Sequence, residues 1–389
     1  MKEPIKILIA GDLMPSENNF ELFEKGDAKA LFGKEICQLF SDTDFSIANL
    51  EGALTDSIIP QQKDGPCIKA PTSTIAGIKN LGLSAVALAN NHITDYLQQG
   101  IDDTLNILDE VGILHVGIAP RKGCPSPPDS HLSITINDKK ICIYNISETL
   151  FNSPTKEMDG AYLYDEWIVL NEIRVLKQQH DFLIVIYHGG AEYFPFPTPQ
   201  TRKRFHRMAD CGADFITAQH THCVGCEEWY KGSYLLYGQG NFLFARQKKY
   251  PNLTKQGLVT EIVINGDGFL VNHHIVNIKD DVLRYDNQQD LTPFYERSQL
   301  LDDDEFIIEQ FTKLKVEEIM RKFLVAAKGC YPLRRITKRI FPNSVKHPEQ
   351  TYSLSQMLRI FNIVQGERTS EDMYYVWKYM LDDYYQHGK

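Results

Sequence analysis

The chain has 389 residues, of which 51 are acidic and 41 are Lys or Arg, and its formal net charge is −10 at pH 7. This length allows two or three domains and a large buried core. The acidic balance argues against nucleic acid as a general partner, because nucleic-acid binding needs a basic face. Hydrophobic residues make up 43% of the chain, as is usual for a globular protein.

The N-terminal stretch MKEPIKILIAGDLM does not match a targeting segment. Its uncharged apolar run, ILIA, is too short for a signal peptide, and no window approaches the roughly 18 apolar residues of a membrane span. The eight cysteines follow no disulfide pattern, which is typical of a reducing compartment. The sequence therefore predicts a cytoplasmic protein without a transmembrane segment, free in the cytoplasm or peripheral at the membrane.

Short apolar runs alternate with helical patterns through the first 280 residues. In chain order, strands are predicted at 5–11, 45–52, 84–91, 113–118, 181–190, 213–222, 233–244, 257–266 and 269–278, with a hairpin over 131–147. Helices are predicted at 72–82, 100–112, 167–179 and 199–212. This alternation predicts an α/β fold in which two sheets form a sandwich with helices outside.

The pattern becomes helical after about residue 290. Long amphipathic stretches cover 302–329, 351–366 and 369–386. We therefore divide the chain into a domain over 1–290 and a helical C-terminal region over 291–389. Basic residues cluster within 321–346, where they either contact an anionic polymer or membrane surface or form a solvated face on packed helices. The solvated face is the favoured interpretation.

Polar residues that can bind metal occur at or just beyond the ends of five predicted strands. They are Asp12, Glu51, Asn91 with His92, His188, and His220 with His222. In α/β folds, ligands collect at the carboxyl ends of strands. Carboxylates, a carboxamide and imidazoles suit divalent Mn, Zn, Fe or Mg ions, and a bridging carboxylate can hold two ions that clamp a phosphoryl group. His92 follows Asn91 directly, so that one can bind metal while the other acts as general acid.

Several motifs carry a resemblance to a known family. GDLM, NLEGAL, ALANNHITDY, HGGAEY, HTHCV and YGQGNFLF resemble, in order and spacing, those of the bacterial capsule-synthesis CapA family of poly-γ-glutamate biosynthesis proteins. That family is a branch of the calcineurin-like metallophosphoesterase superfamily, and the resemblance covers roughly residues 5–275. It implies a four-layer α-β-β-α sandwich, followed here by the helical C-terminal appendage.

The resemblance also implies a role for each site residue. The implied metal ligands are Asp12, Glu51 as the bridging carboxylate, Asn91, His188, His220 and His222. His92 is the implied general acid, and Glu192 is a carboxylate beside the ligands or facing the substrate. We assign Asp95, from the same motif as His92, to the catalytic set with His92 and Glu192; the alternative makes Asp95 the N-cap of a helix near Tyr96. Met14 stands where metallophosphoesterases usually have a histidine ligand, so one metal site loses a ligand.

Cys223 and Cys226 follow His220 and His222 within the stretch HTHCVGC. A zinc knuckle and a redox-active C-x-x-C are both conceivable. The two pairs adjoin without a spacer, however, and the motif leads into a predicted hairpin rather than a helix. We favour two ordinary cysteines in a loop beside the metal site.

The expected function is that of a metal-dependent hydrolase of the phosphoesterase type, linked to capsule, poly-γ-glutamate or cell-envelope polymer synthesis. One alternative is ligation, cleavage or epimerisation of peptide or γ-glutamyl substrates at the same site. Another is a non-catalytic assembly subunit of a biosynthetic complex. The expected cofactor is one or two divalent ions, and the expected partners are an anionic small molecule or polymer and biosynthetic proteins.

Overall fold

A computed structural model describes residues 3–63, 65–244 and 252–314. Its strands in chain order are β1 (Ile5–Met14), β2 (Phe45–Leu50), β3 (Ala53–Leu54), β4 (Lys69–Ala70), β5 (Ala85–Ala87), β6 (Leu114–Val116), β7 (Ile118–Ala119), β8 (His131–Ile136), β9 (Lys139–Ser147), β10 (Gly160–Ala161), β11 (Phe182–His188), β12 (Phe215–Gln219), β13 (Glu227–Tyr230), β14 (Ser233–Leu236), β15 (Asn241–Phe244), β16 (Gln256–Asn265), β17 (Gly268–Lys279) and β18 (Val282–Tyr285).

The α-helices are α1 (Phe20–Glu24), α2 (Ala28–Phe32), α3 (Lys34–Ser41), α4 (Ile75–Leu81), α5 (Leu97–Val111), α6 (Glu166–Gln179), α7 (Pro199–Asp210) and α8 (Thr292–Ser298). Single 3-10 turns cover Thr72–Thr74 and Asn252–Lys255. A further helix begins at residue 304 and reaches the end of the described segment at residue 314.

Two mixed sheets hold most of these strands. The first has the order β18-β17-β16-β1-β2-β5-β6, with β15 also beside β1, and the second has the order β13-β14-β12-β11-β9-β8. The central strands of each sheet run parallel: β1, β2, β5 and β6 in the first, and β9, β11, β12 and β14 in the second. Such strands are buried on both faces, which explains why their sequences are almost continuously apolar.

Three hydrophobic cores show that the molecule has four layers. Ile7 and Ile9 of β1 pack with Ile184 and Ile186 of β11 between the two sheets. The alternate residues of β1 face helices α1 to α5 on one side of the sandwich. The alternate residues of β11 face α6, α7 and residues of 301–311 on the other side. The predicted α-β-β-α sandwich is therefore confirmed.

The stretch predicted as one strand over 233–244 is instead two strands. Ser233–Leu236 pairs with β12 in the second sheet, whereas Asn241–Phe244 pairs with β1 in the first. The chain crosses between the sheets at residues 237–240, where Gly238 and Gly240 have positive φ angles of 152° and 70°. Because of this crossing, Asn241 lies beside Asp12, its register partner on β1, at the same edge of the first sheet.

The described part of the C-terminal region packs onto the sandwich. Phe294 of α8 belongs to the core between the sheets, and Leu301, Ile307 and Phe311 belong to the core beneath the second sheet. The rest of this region, including the basic residues at 321–346 and the helices expected at 351–366 and 369–386, lies outside the described residues. Within the residues that are described, no helix is long and apolar enough to cross a membrane.

Candidate metal centre

Parallel strand ends from both sheets meet at one edge of the sandwich. Asp12 lies on β1 at a break in register and faces Asn49 of β2, and Glu51 follows β2 directly. His188 is the last residue of β11, and His220 follows β12. All of these side chains are buried. The strand ends thus place Asp12, Glu51, His188 and His220 at one edge of the sandwich.

One group of possible ligands consists of Glu51, His188 and His220, whose ligand atoms lie within 4.8 Å of one another. His188 Nε2 is 3.8 Å from Glu51 Oε1. The same His188 nitrogen is 2.9 Å from Asn91 Oδ1, so Asn91 lies beside this group. Imidazole nitrogen and carboxylate oxygen are ligands that Zn²⁺ and related ions prefer.

A second group consists of Asp12, Glu51 and His222, again with ligand atoms within 4.8 Å of one another. His222 Nδ1 is 3.3 Å from Asp12 Oδ2, and His222 Nε2 is 3.6 Å from Glu51 Oε1. Glu51 belongs to both groups. The arrangement is therefore that of two adjacent candidate cation sites that share one carboxylate.

The surroundings of Glu51 fit bound cations. Its side chain is fully buried, and neither Oε1 nor Oε2 has a hydrogen-bond partner within the part of the chain that the structure describes. Burial, followed by the charge of Asp12, raises the pKa of Glu51 well above its ordinary value. A buried carboxylate without donors is costly unless a cation or proton balances it. This orphaned carboxylate is the structural observation that favours metal binding.

Burial and neighbouring charges also shift the pKa values of Asp12, His188 and His222. Burial acts to raise the pKa of Asp12, but the hydrogen bond and charge of His222 lower it below the ordinary value. Burial, and then the neighbouring His220 ring, lower the pKa of His188 well below its ordinary value, which favours the neutral imidazole that metals bind. Although burial opposes charge on His222, Glu51 and Asp12 raise its pKa to about 10. As a metal ligand, His222 must release that proton.

The backbone of the turn after β12 is strained. His220 and His222 have φ angles of 87° and 54°, in the left-handed region that non-glycine residues rarely adopt. Each such residue costs about 1–3 kcal/mol and persists where the surroundings impose it. The strain aims both rings at Glu51 from the same short turn.

His92 is held at one ring nitrogen. His92 Nδ1 lies 2.6 Å from Asp95 Oδ2, and Asp95 also accepts a hydrogen bond from the backbone N–H of Ile68 at 2.6 Å. Lys63, whose side chain is 4% exposed, forms an ion pair with Asp95 and lies 3.4 Å from His92 Nδ1. The alternative role of Asp95 as a helix N-cap is wrong, because Tyr96 precedes α5 and Asp95 is bonded to His92 instead.

Two carboxylates flank His220. Its Nε2 is 3.5 Å from Glu192 Oε1 and 3.5 Å from Glu148 Oε1. The Glu192 side chain is 32% exposed, whereas that of Glu148 is 5% exposed. Glu192 therefore lies at the solvent side of the ligand groups.

Four described residues that the sequence analysis did not single out also contact the site residues. Asn49 Nδ2 donates to Asp12 Oδ1 at 2.8 Å, and Asn241 Oδ1 lies 2.9 Å from His222 Nδ1. The others are Lys63 and Glu148. Glu148 directly follows β9, so the strand-end rule applied to the hairpin would have found it. Lys63 lies in an irregular loop, so its position in the sequence does not mark it as the end of a strand.

Met14 and the two cysteines take no part in the ligand groups. Met14 is buried in the core beneath the first sheet. Cys223 and Cys226 are buried thiols that belong to neither group. Burial raises the pKa of Cys226 to about 12, and its thiol donates to the carbonyl of Pro195. These surroundings favour two structural cysteines over a redox pair or a zinc knuckle.

Known proteins resemble this chain over its first two-thirds. The capsule biosynthesis protein CapA of Bacillus anthracis is 25% identical over 251 residues, which cover 62% of this chain and 60% of the relative. The PGA biosynthesis protein CapA of Bacillus subtilis is 25% identical over 236 residues, which cover 60% of this chain and 62% of the relative. The match thus spans about six-tenths of the length of these relatives.

Solved structures give weaker matches. A putative 5'-nucleotidase from Staphylococcus aureus is 13% identical, with a TM-score of 0.44 over 77% of this chain and 58% of that one. The NAD nucleotidase of Haemophilus influenzae is also 13% identical, with a TM-score of 0.44 over 77% of this chain and 55% of that one. Because both TM-scores are below 0.5, we assign the four-layer fold from the sheet order and the three cores alone.

Family membership rests on a match over most of the described chain. The family described as "Bacterial capsule synthesis protein PGA_cap" matches residues 6–246. This range includes every candidate ligand from Asp12 to His222 and the strand β15 that carries Asn241. It confirms the resemblance seen in the motifs. The chain therefore belongs to the bacterial capsule synthesis protein PGA_cap family.

Proposed function

We propose that this chain is a metal-dependent hydrolase of the phosphoesterase type that acts on an anionic intermediate of capsule, poly-γ-glutamate or cell-envelope polymer synthesis. The observation that carries the proposal is the pair of buried ligand groups joined by Glu51. Both oxygens of that carboxylate lack hydrogen-bond partners among residues 3–63, 65–244 and 252–314. A shared carboxylate between two cation sites suits the displacement of a phosphoryl group, which needs charge stabilisation on two sides.

The residues divide into two ligand sets around Glu51. His188 and His220, with Asn91 beside them, would hold one divalent ion, and Asp12 and His222 would hold the other. When bound, Mn, Zn, Fe or Mg ions supply Lewis-acid stabilisation of a phosphoryl group and lower the pKa of water. Asn49 and Asn241 fix the orientation of Asp12 and His222 through their hydrogen bonds.

His92 is the proposed general acid. Asp95 holds its Nδ1, which leaves Nε2 as the nitrogen that faces away from the Asp95 carboxylate. In this arrangement Nε2 can pass a proton to a leaving oxygen, while Asp95 fixes the tautomer and the ring orientation. Asp95 thus acts through His92, and Lys63 partly balances its charge.

The substrate and the partners rest on the names of the relatives. The Bacillus subtilis relative is named a PGA biosynthesis protein, and one from Mycobacterium tuberculosis is named a probable polyglutamine synthesis accessory protein. These names support a biosynthetic polymer or its precursor as substrate, and biosynthetic proteins as partners; the anionic character of the substrate is our proposal. A site in the cytoplasm or at the membrane surface is part of the same proposal.

A second candidate keeps the site and changes the bond that is broken or formed. Carboxylates and imidazoles at Asp12, Glu51 and His222 can also transfer protons in peptide or γ-glutamyl chemistry. The names of the relatives, which refer to PGA biosynthesis and polyglutamine synthesis, favour this candidate. The missing ligand at Met14 favours the non-catalytic alternative, yet Asp12, Glu51 and His222 still form a group of three possible ligands without that position.

The test is a substrate screen that varies the metal. The purified chain is treated with chelator, reloaded with Mn²⁺ or Zn²⁺, and assayed on p-nitrophenyl phosphate, bis-p-nitrophenyl phosphate and γ-glutamyl-p-nitroanilide. We expect phosphoester hydrolysis that needs metal and is lost in Glu51→Gln but kept in Glu110→Gln, an exposed carboxylate of α5. Cleavage of the γ-glutamyl substrate by metal-free protein would support the second candidate, and inactivity on all three would support an assembly role.

A further inference from the structure

A cavity of about 370 Å³ lies beside the metal centre. Its walls come from the segment after β1, the segment around β4, the residue before α5 and the end of β15. This volume lies near the lower end of the range of roughly 300–1,000 Å³ that is usual for small-molecule sites. The cavity can therefore take a small ligand or one arm of a larger one.

The walls of this cavity are shared with the metal centre. The ring of Phe244 stacks on that of His222, with centroids 5.1 Å apart and planes at 29°. Met14 and Ile68 enclose Gly52, the residue after Glu51: a Cβ at Gly52 would lie 3.0 Å from Met14 Cε and 3.1 Å from Ile68 Cγ2. A substrate held at the ligand groups is therefore within reach of the cavity.

Lys69 supplies the half-buried positive charge in the described wall of the cavity. Its Nζ donates to the carbonyl of Ser57 at 2.6 Å and lies 5.0 Å from the centroid of the Tyr96 ring. An ammonium group has three donors, so this one keeps donors for a ligand. The carboxylate of Glu17 is exposed at the rim, where water screens it.

We propose that this cavity binds the non-reacting arm of the substrate, and that the arm is a short methylene chain ending in a carboxylate. The carboxylate pairs with Lys69, and the methylenes pack against Met14, Ile68 and Phe244. This inference rests on the proposed function, because it takes the metal centre as the place where the substrate reacts.

The charge of the site distinguishes a carboxylate from a phosphate. One ammonium balances a single negative charge, and the described wall of the cavity contains no arginine that could form the paired bonds a phosphate prefers. The hydroxyl of Ser16, in the same wall, adds a buried oxygen that has no hydrogen-bond partner among the described residues. It can donate to the second oxygen of a carboxylate.

Cys67 makes the proposal testable without turnover. This half-buried thiol lines the cavity, whereas Cys124 is exposed and lies outside its described lining. The chain is freed of metal with chelator, alkylated with iodoacetamide, and mapped by mass spectrometry. Glutarate serves as the probe, glutaramide as its neutral counterpart, and Cys124 as the internal control. Chelation keeps the assay independent of the metal and of catalysis.

We expect glutarate, at about ten times its dissociation constant, to slow the alkylation of Cys67 about tenfold, with Cys124 unchanged. Glutaramide should not protect Cys67, and Lys69→Met should abolish the protection, whereas Lys79→Met, an exposed lysine of α4, should keep it. Asn18→Trp, at the exposed rim, should slow the alkylation of Cys67 without any ligand and serves as a variant that leaves the core intact.

Equal protection by glutaramide, or protection that survives Lys69→Met, would overturn the carboxylate assignment. The absence of protection by glutarate would also overturn the proposal. A Cys67 that does not react in the ligand-free chain would overturn it too, because the cavity would then exclude small solutes. Loss of phosphoesterase activity alone would leave these results unchanged, so a failure of the proposed function is distinguishable from a failure of this inference.

Discussion

At the scale of single residues, the burial of the Glu51 carboxylate has an electrostatic cost that the described residues do not offset. Both of its oxygens are buried without hydrogen bonds to any described residue, and the carboxylate of Asp12 belongs to the same ligand group. Leaving one buried polar group unsatisfied costs about 1–3 kcal/mol, and more for a charged group. Bound cations would remove this cost, so metal should stabilise the folded chain as well as activate it.

His92→Ala tests the assignment of the general acid. If His92 Nε2 delivers the proton, we expect kcat to fall about 10²- to 10⁴-fold. The metal content should not change, because His92 belongs to neither ligand group. Steady-state kinetics together with metal analysis checks this, with His131→Ala, an exposed histidine on β8, as control. Unchanged turnover with the metals in place would show that another group provides the proton.

His115, on β6, gives a pH-dependent contribution to stability outside the site. Its hydrogen bond with Asp129 at 3.0 Å raises the pKa of His115 above its ordinary value, although burial opposes this. A raised pKa means that the stabilisation is fully present below the unfolded pKa and is lost as the pH rises through the folded pKa. Asp129→Asn should therefore destabilise the chain more at pH 5.5 than at pH 8.5. Denaturant unfolding at both pH values measures this, and equal differences would refute it.

At the scale of the elements, the strand-end rule explains which parts of the site were visible in the sequence. Asp12, Glu51, His188 and His220 were predictable because each ends or follows an apolar run, and parallel strands place such residues at one edge. Lys63 was not, because its place beside His92 depends on the path of an irregular loop. Asn241 was missed because residues 233–244 were taken as one strand, and only the crossing between sheets brings β15 beside β1.

Gly257 on β16 maintains that crossing. A Cβ at this position would lie 1.9 Å from the carbonyl oxygen of Asn241, which is far closer than atoms can approach. Gly257→Ala should therefore destabilise the chain by about 2–3 kcal/mol and weaken metal binding, because Asn241 orients His222. Gly268→Ala is the matched control in the adjoining strand, where the nearest atom is 4.0 Å away. Equal stability of the two variants by thermal unfolding would contradict this account.

At the scale of the whole molecule, the sequence-based boundary at residue 290 falls before residues that complete two cores. Phe294 packs between the sheets, and Leu301, Ile307 and Phe311 pack beneath the second sheet. The guanidinium of Arg297 donates to the carbonyls of Val224 and Gly225, which lie just after the turn that carries His220 and His222. The change from alternating to helical sequence predicted a separate region, but it could not show that its first turns pack into the sandwich.

A chain cut after residue 290 should be much less stable than one cut after residue 314. Four large apolar side chains would be lost, each worth about 1.5–3 kcal/mol when buried, and this is comparable to the whole stability of a typical domain. Circular dichroism during thermal unfolding compares the two. Closely similar transitions would show that the 291–314 segment does not contribute to the cores.

The most direct test of the central claim is the number of metal ions bound by two variants. Glu51 belongs to both ligand groups and Asp12 to one. After reloading with Mn²⁺ or Zn²⁺ and removal of free metal, elemental analysis should give two ions per wild-type chain, one for Asp12→Asn and none for Glu51→Gln. The same count in all three proteins, or retention of two ions by Glu51→Gln, would contradict a centre built on a shared carboxylate.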